Sequence, residues 1–79
     1  MAQMNLKNIK KIEKTKNFIH KKALTTYSIF EEGGLKYLQI DMYGSEDREM
    51  PEKVSQVVQF DKEAAQYLVS LLVREFVLD

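Results

Sequence analysis

The Gly33-Gly34 pair constrains the fold of this chain most, because it separates two stretches rich in β-branched and aromatic residues. Glycine readily adopts the positive φ that a two-residue hairpin turn demands. A turn at these glycines places Glu32 opposite Leu35 and fixes the register of a β-hairpin. The facing pairs are Ile29 with Leu38, Tyr27 with Ile40 and Thr25 with Met42 on one side, and Phe30 with Tyr37, Ser28 with Gln39, Thr26 with Asp41 and Leu24 with Tyr43 on the other.

The two strands of the hairpin are predicted to run from Asn17 to Phe30 and from Leu35 to Tyr43. Side chains alternate across a strand, so one face of the hairpin is largely aliphatic and the other mixes aromatic rings with small polar groups. This separation is typical of an antiparallel sheet that is covered on one side.

A charged loop, residues 45–53, follows the hairpin and contains the only proline. A third strand is predicted from Val54 to Phe60. Its aliphatic side is expected to carry Val54, Val58 and Phe60, and its other side Ser55, Val57 and Gln59. Asp61 stands at the N-cap position of a helix from about Lys62 to Val77, with Glu63 in the first turn. The predicted fold class is α+β, with an antiparallel sheet (the hairpin and a further strand) backed by one C-terminal helix.

The helix is more apolar than a surface helix needs to be, since it carries nearly two apolar stripes where one is enough. With 79 residues and no cysteine, the chain has neither a large core nor disulfides to stabilise it. We therefore expect a homodimer whose interface uses the surplus apolar helix residues. These are Leu68, Val69, Leu72, Val73 and Phe76.

The charge of the chain is neutral in total but strongly polarised along its length. Residues 1–22 contain seven lysines and one acid, whereas residues 23–79 contain five basic residues and eleven acids. A basic arm on an acidic body is suited to contact with a polyanion, or to docking on its own or a partner's acidic surface. We predict a flexible basic arm, residues 1–16, and a single domain, residues 17–79.

Several classes of function are disfavoured by the sequence. No apolar run is long enough for a membrane span and no signal peptide is visible, so we expect a cytoplasmic protein. The lone His20 is followed by Lys21 and Lys22 and is explained as an ordinary strand or surface histidine. Asp41, Glu46 and Asp47 are explained as solvated charges. No phosphate-binding glycine loop is present, because the hairpin accounts for the paired glycines. We predict neither an enzyme nor a protein with a cofactor or a metal.

The outer face of the sheet is suited to single-stranded nucleic acid, which is bound by aromatic rings that stack on bases and by cations that follow the phosphates. The predicted contacts are Phe30, Tyr37 and Tyr43 for stacking and Lys14, Lys16, Lys21, Lys22, Lys36, Arg48 and Lys53 for charge. The rings have a second interpretation, as packing at a sheet edge or beneath a second subunit.

The element order of hairpin, charged loop, strand and helix resembles the transcriptional coactivators of the positive-cofactor-four type and the related Whirly proteins. The similar segments are Tyr37 to Tyr43, Glu49 to Lys53 and Ser55 to Leu72. The resemblance implies a curved antiparallel sheet backed by a helix, a dimer joined through helices and sheet edges, and single-stranded DNA bound on the sheet. The residues that match its aromatic and basic positions are Tyr37, Tyr43, Lys36 and Lys53.

Three features depart from that pattern. The connecting loop is acidic on balance, and Asp41 lies on the outer face, where it would repel phosphate. A recognisable fourth strand is also missing, unless residues 17–22 form a separate one. The chain is also similar to short bacterial and phage proteins that share the strings YLQIDxYGSxxR and SQxxQFD, which imply no activity. Within this segment, Arg48 is suited either to an ion pair with Asp47 or Glu49 or to a ligand contact.

Two functions from different classes follow from the sequence. The first is a small, dimeric, non-enzymatic protein that binds single-stranded DNA, as an accessory in transcription or replication. The alternative is a protein-interaction module, such as a phage or plasmid regulator that binds a host protein through its helix or a sheet edge.

Overall fold

The computed structural model describes residues 1–44 and 54–78. Four strands form one sheet: β1 (Ala2–Gln3), β2 (Thr25–Glu32), β3 (Leu35–Tyr43) and β4 (Val54–Phe60). A 3-10 turn (Leu6–Asn8) follows β1, and a single helix, α1 (Lys62–Phe76), follows β4. The α+β class predicted from the sequence is confirmed.

The hairpin of β2 and β3 has the predicted register, from Glu32 opposite Leu35 to Thr25 opposite Met42. Gly33 and Gly34 both have positive φ, at 61° and 79°. The two-residue turn therefore determines which side chains share a face, because a shift of one residue would exchange the faces of the whole strand.

The predicted start of the first strand, Asn17, was wrong, because β2 begins at Thr25. The partner strand explains the difference. Tyr43 ends β3, and its backbone N–H donates to the carbonyl of Leu24 at 3.0 Å. Residues 17–23 therefore extend past the last residue of β3 with which they could pair, and β propensity alone does not maintain a strand without a neighbour.

The sheet is mixed, whereas the sequence predicted antiparallel pairing alone. Its strand order is β1-β4-β3-β2, with β1 parallel to β4 and the other pairs antiparallel. The N–H of Met4 extends the parallel pairing by donating to the Gln59 carbonyl at 2.8 Å. The first residues of the predicted arm thus lie against the sheet; the division between arm and domain at residue 16 stays a prediction.

A register shift interrupts the pairing of β3 and β4 between Met42 and Tyr43. Met42 lies opposite Gln56 but Tyr43 lies opposite Val54, so Ser55 is the extra residue. Its hydroxyl donates to the Met42 carbonyl at 3.1 Å. The predicted alternation of β4 holds from Gln56 onward, but the bulge puts Val54 in phase with Tyr43 instead of with the aliphatic side.

Helix α1 begins as the sequence predicts, with the Asp61 side chain accepting a hydrogen bond from the Ala64 N–H at 2.9 Å. It ends at Phe76, one residue before the predicted end, because Val77 adopts the left-handed conformation with a φ of 51°. In this conformation the Val77 and Leu78 N–H groups both donate to the Val73 carbonyl, the latter at 3.1 Å.

Replacing Asp61 by alanine is expected to lower the free energy of unfolding by about 1 kcal/mol, because the Ala64 N–H loses its capping acceptor. Asp61→Asn retains an acceptor oxygen and should remain close to the wild type. Urea denaturation followed by circular dichroism measures both variants. Equal losses in the two variants would show that the charge, rather than the cap, is responsible.

The core of a single chain is very small. Among the described residues only Phe60 and Ala64 are buried, at 9% and 0% exposure. Helix α1 meets the sheet at β4, and the side of the sheet nearer β2 stays open, with Tyr27 and Ile29 at 74% and 60% exposure. In the described part of the chain, no helix has the length and apolar character to span a bilayer.

Candidate functional site

The register of the sheet assigns its side chains to two faces. The aliphatic face carries Tyr27, Ile29, Leu38, Ile40, Met42, Val58 and Phe60. The aromatic face carries Thr26, Ser28, Phe30, Tyr37, Gln39, Asp41, Tyr43, Val57 and Gln59.

A pair of stacked rings lies at the hairpin end of the aromatic face. Phe30 and Tyr37 are cross-strand neighbours whose ring centroids are 5.4 Å apart and whose planes differ by 21°. Both side chains are half-buried. Each ring supports the other, so that little side-chain entropy remains to be lost when a planar ligand stacks on the pair.

A row of hydrogen bonds crosses the middle of the same face. The Gln59 amide donates to the Gln39 carbonyl oxygen at 2.8 Å, and the Gln39 amide donates to the Asp41 carboxylate at 2.8 Å. All three side chains are half-buried. We call the row of Gln59, Gln39 and Asp41 the amide ladder. Its hydrogen bonds hold donors and acceptors in fixed positions beside the rings of Phe30 and Tyr37.

The third ring, Tyr43, lies at the far end of the face. Its hydroxyl and that of Thr26 are hydrogen-bonded at 3.3 Å. Thr26 is the residue that pairs with Asp41 across β2 and β3. The hydrogen bond therefore directs the tyrosine side chain toward the strand position beside the carboxylate.

The sequence-predicted cations are not all on this face. Lys36 occupies a position in phase with Leu38, and it lines an apolar cavity of about 260 Å³ with Ile29 and Phe60. Strand alternation places it on the opposite side from Tyr37, and its contact with nucleic acid stays a prediction. Arg48 and Lys53 lie outside the described residues.

The four remaining lysines lie in the irregular segment before β2 and are all exposed. They are Lys14, Lys16, Lys21 and Lys22. Within residues 1–44 and 54–78, none of them forms an ion pair; the ion pairs found there are Lys11 with Glu13 and Arg74 with Glu75. Their charges are thus available to a ligand. No ion pair within residues 1–44 and 54–78 holds these lysine side chains beside the rings of the aromatic face.

The helix residues predicted for a dimer interface are mostly exposed in the single chain. Leu68 is half-buried, whereas Val69, Leu72, Val73 and Phe76 are exposed, with Val69 at 60% and Phe76 at 68%. They recur at helical spacing, so they form one apolar stripe beside the side that carries Ala64.

The sequence reasoning missed the role of Gln59. It placed Gln39 among the polar groups of the outer face but did not connect the two amides. No sequence signal connects them, because Gln39 lies directly opposite Gln59 only through the antiparallel pairing of β3 and β4, which is seen in the assembled sheet. His20 is exposed, and no cluster of metal-ligating side chains occurs in the described part of the chain.

Comparison of the chain with protein-family models, with curated proteins and with solved structures finds no match.

Proposed function

We propose that this protein binds single-stranded nucleic acid, most favourably DNA, on the aromatic face of its sheet. The observation that carries the proposal is the stacked pair of Phe30 and Tyr37 on the aromatic face; among the described residues, helix α1 meets the sheet chiefly at β4 rather than at the hairpin strands that carry these rings. Stacking on an aromatic ring contributes about 1–3 kcal/mol for each base, and every base has a π face. No covalent chemistry and no cofactor is required for this function.

The lysines of the segment before β2 supply the positive charge that neutralises the phosphates of the strand. Single-stranded DNA releases counterions when its phosphates are neutralised, which gives salt-dependent affinity. The exposed, unpaired state of these lysines in the described structure supports this role. A segment without regular structure can follow the phosphates of a flexible strand and become ordered on contact.

We further propose that the binding unit is a homodimer formed through the apolar helix stripe. Four side chains of the stripe, Val69, Leu72, Val73 and Phe76, are between 44% and 68% exposed in the single chain. Burying them against a partner removes apolar surface from water, which is the dominant favourable term in most protein association. A second copy of the chain carries the same apolar stripe and is always present together with the first. We therefore infer that the partner at this stripe is a second copy.

Fluorescence anisotropy with a labelled single strand of mixed sequence and with the matching duplex at low salt tests the proposal. We expect saturable binding of the single strand and binding at least tenfold weaker for the duplex, whose bases are stacked on each other and inaccessible. Absence of single-strand binding at tens of micromolar protein would refute the proposed function.

Replacing both Lys21 and Lys22 by glutamine should flatten the salt dependence of single-strand binding. Each neutralised phosphate contributes about 0.7 to the slope of log affinity against log salt, so the slope should fall by about 1.4. The matched control is Lys36→Gln with Lys62→Gln, which removes the same charge from the cavity on the aliphatic face. Equal slopes for the two variants would show that charge acts only through the net charge of the protein.

The alternative function, a protein-interaction module, is favoured by one observation. Strand β2 is the last strand in the sheet order, so its outer edge has no neighbouring strand among the described residues. Such an edge accepts an added strand from a partner. A partner that stays bound to the purified protein after nuclease treatment, together with no affinity for oligonucleotides, would favour this function over the first.

A further inference from the structure

Asp41 determines the direction in which the hydrogen bonds of the amide ladder are donated. An ionised carboxylate only accepts hydrogen bonds, so Gln39 must turn its amide nitrogen toward Asp41, at 2.8 Å. The carbonyl oxygen of Gln39 then points toward Gln59, which has to donate, also at 2.8 Å. The orientation of both glutamine side chains is thus a consequence of the charge on Asp41.

This direction leaves a defined set of unused hydrogen-bonding groups in the middle of the aromatic face. The Gln39 amide has a second N–H, and the Asp41 carboxylate has a second oxygen that makes no hydrogen bond within residues 1–44 and 54–78. Both side chains are half-buried, so they remain open to a ligand. The carboxylate oxygen that accepts from Gln39 keeps a second lone pair, so the order along the face is one donor followed by two acceptors.

We propose that Gln39 and Asp41 read the Watson–Crick edge of guanine in a bound single strand. This edge presents one acceptor, O6, followed by two donors, N1–H and the N2 amino group, which is the complement of the protein array. Adenine, cytosine and thymine each present an acceptor where the carboxylate requires a donor. Base edges of this kind are accessible only in unpaired strands.

Tyr43 is placed to stack on the base that this array reads. It lies two residues along β3 from Asp41 on the same face, a separation of roughly 6.8 Å. Its hydroxyl is bonded to Thr26, which pairs with Asp41. The ring therefore lies beside the carboxylate, so that a base stacked on it is within reach of Asp41.

Base reading also explains why an acid lies on a surface proposed to bind a polyanion. A carboxylate repels phosphates wherever they approach, so it weakens binding of every strand by the same mechanism. A pair of donors on one base compensates for this repulsion at that base alone. Asp41 then lowers the affinity for every strand and raises the selectivity for guanine. Repulsive groups contribute to the specificity of other protein interfaces in the same way.

The inference rests on the proposed function, and the experiment separates the failure of each. Anisotropy is measured with oligothymidine strands that carry one central guanine, adenine, cytosine or hypoxanthine. We expect the guanine strand to bind about tenfold more tightly than the adenine strand, since a bidentate contact to a base edge discriminates against the wrong base by roughly this factor or more. Hypoxanthine lacks the N2 amino group and should lose most of this preference without any change to the protein.

The Asp41→Asn variant should bind all strands with similar affinity, because its amide offers one acceptor in place of two. The control Glu31→Gln removes the same charge from a position opposite Lys36 on the other face and should keep the preference. Equal affinity of the wild type for all four strands, or a guanine preference that Asp41→Asn retains, would overturn the inference and leave the proposed function standing. Failure of every strand to bind would overturn both.

Discussion

Leu72→Glu is expected to convert the proposed homodimer into a monomer and to abolish its cooperative unfolding. Leu72 lies at the centre of the apolar stripe that also includes Val69, Val73 and Phe76. In a twofold interface each substitution introduces two charges, and an unpaired charge removed from water costs several kcal/mol. The dissociation constant of the dimer should therefore rise more than about a hundredfold.

The loss of folding follows from the small core of one chain. Only two of the described side chains are buried, and the aliphatic face of the sheet is left open nearer β2. A monomer that buries so little apolar surface has little free energy to set against the conformational entropy of its chain. Dissociation and unfolding should then occur together, so the thermal midpoint of the wild type should increase with protein concentration.

Sedimentation equilibrium and circular dichroism measure the two effects independently. The matched control is Ser70→Glu, which places the same charge on the polar side of α1, between Gln66 and Arg74 in the helical repeat. It should remain dimeric and folded. A wild type that sediments as a stable monomer at high concentration would contradict the proposed dimer, and so would a Leu72→Glu variant that remains dimeric.

The parts of the fold that the sequence predicted well are those decided by short-range rules. The hairpin register follows from Gly33 and Gly34, because the turn leaves only one way to pair the flanking residues. The start of α1 follows from Asp61, because an N-cap needs only its own side chain and the N–H groups of the next turn. Neither depends on where other elements pack.

The parts that were missed depend on pairing at a distance. The start of β2 at Thr25 is set by where β3 ends, and β propensity in residues 17–24 carries no information about that. The parallel contact of Ala2–Gln3 with β4 joins segments more than fifty residues apart. A two-residue strand has no periodicity to detect, so only the assembled sheet reveals it.

The candidate site shows the same division between local and distant information. The rings of Phe30 and Tyr37 were predicted to share a face because the turn lies between them. Alternation along β3 also places Lys36 on the opposite side from Tyr37, and this separation can be derived from the sequence alone. The hydrogen bonds from Gln59 to Gln39 and from Gln39 to Asp41 depend on the pairing of β3 with β4. Because residues 45–53 separate these strands in the sequence, no short turn fixes their register and the pairing could not be predicted.

Tyr37→Ala is expected to weaken single-strand binding about five- to one-hundredfold, which corresponds to the loss of about 1–3 kcal/mol from one stacked base. The substitution also leaves Phe30 without the ring on which it stacks, so the larger part of this range is expected. Anisotropy titrations with the mixed-sequence strand at fixed low salt measure the change.

Tyr37→Phe separates stacking from hydrogen bonding at this position. It keeps the ring and removes only the hydroxyl, so its affinity should remain within about twofold of the wild type if stacking is responsible. Because Tyr37 lies opposite Phe30 near the exposed turn, urea denaturation should show a small stability loss for Tyr37→Ala compared with its loss of affinity. Wild-type affinity in Tyr37→Ala, with the dimer intact, would remove the ring pair from the binding surface and with it the observation on which the proposed function depends.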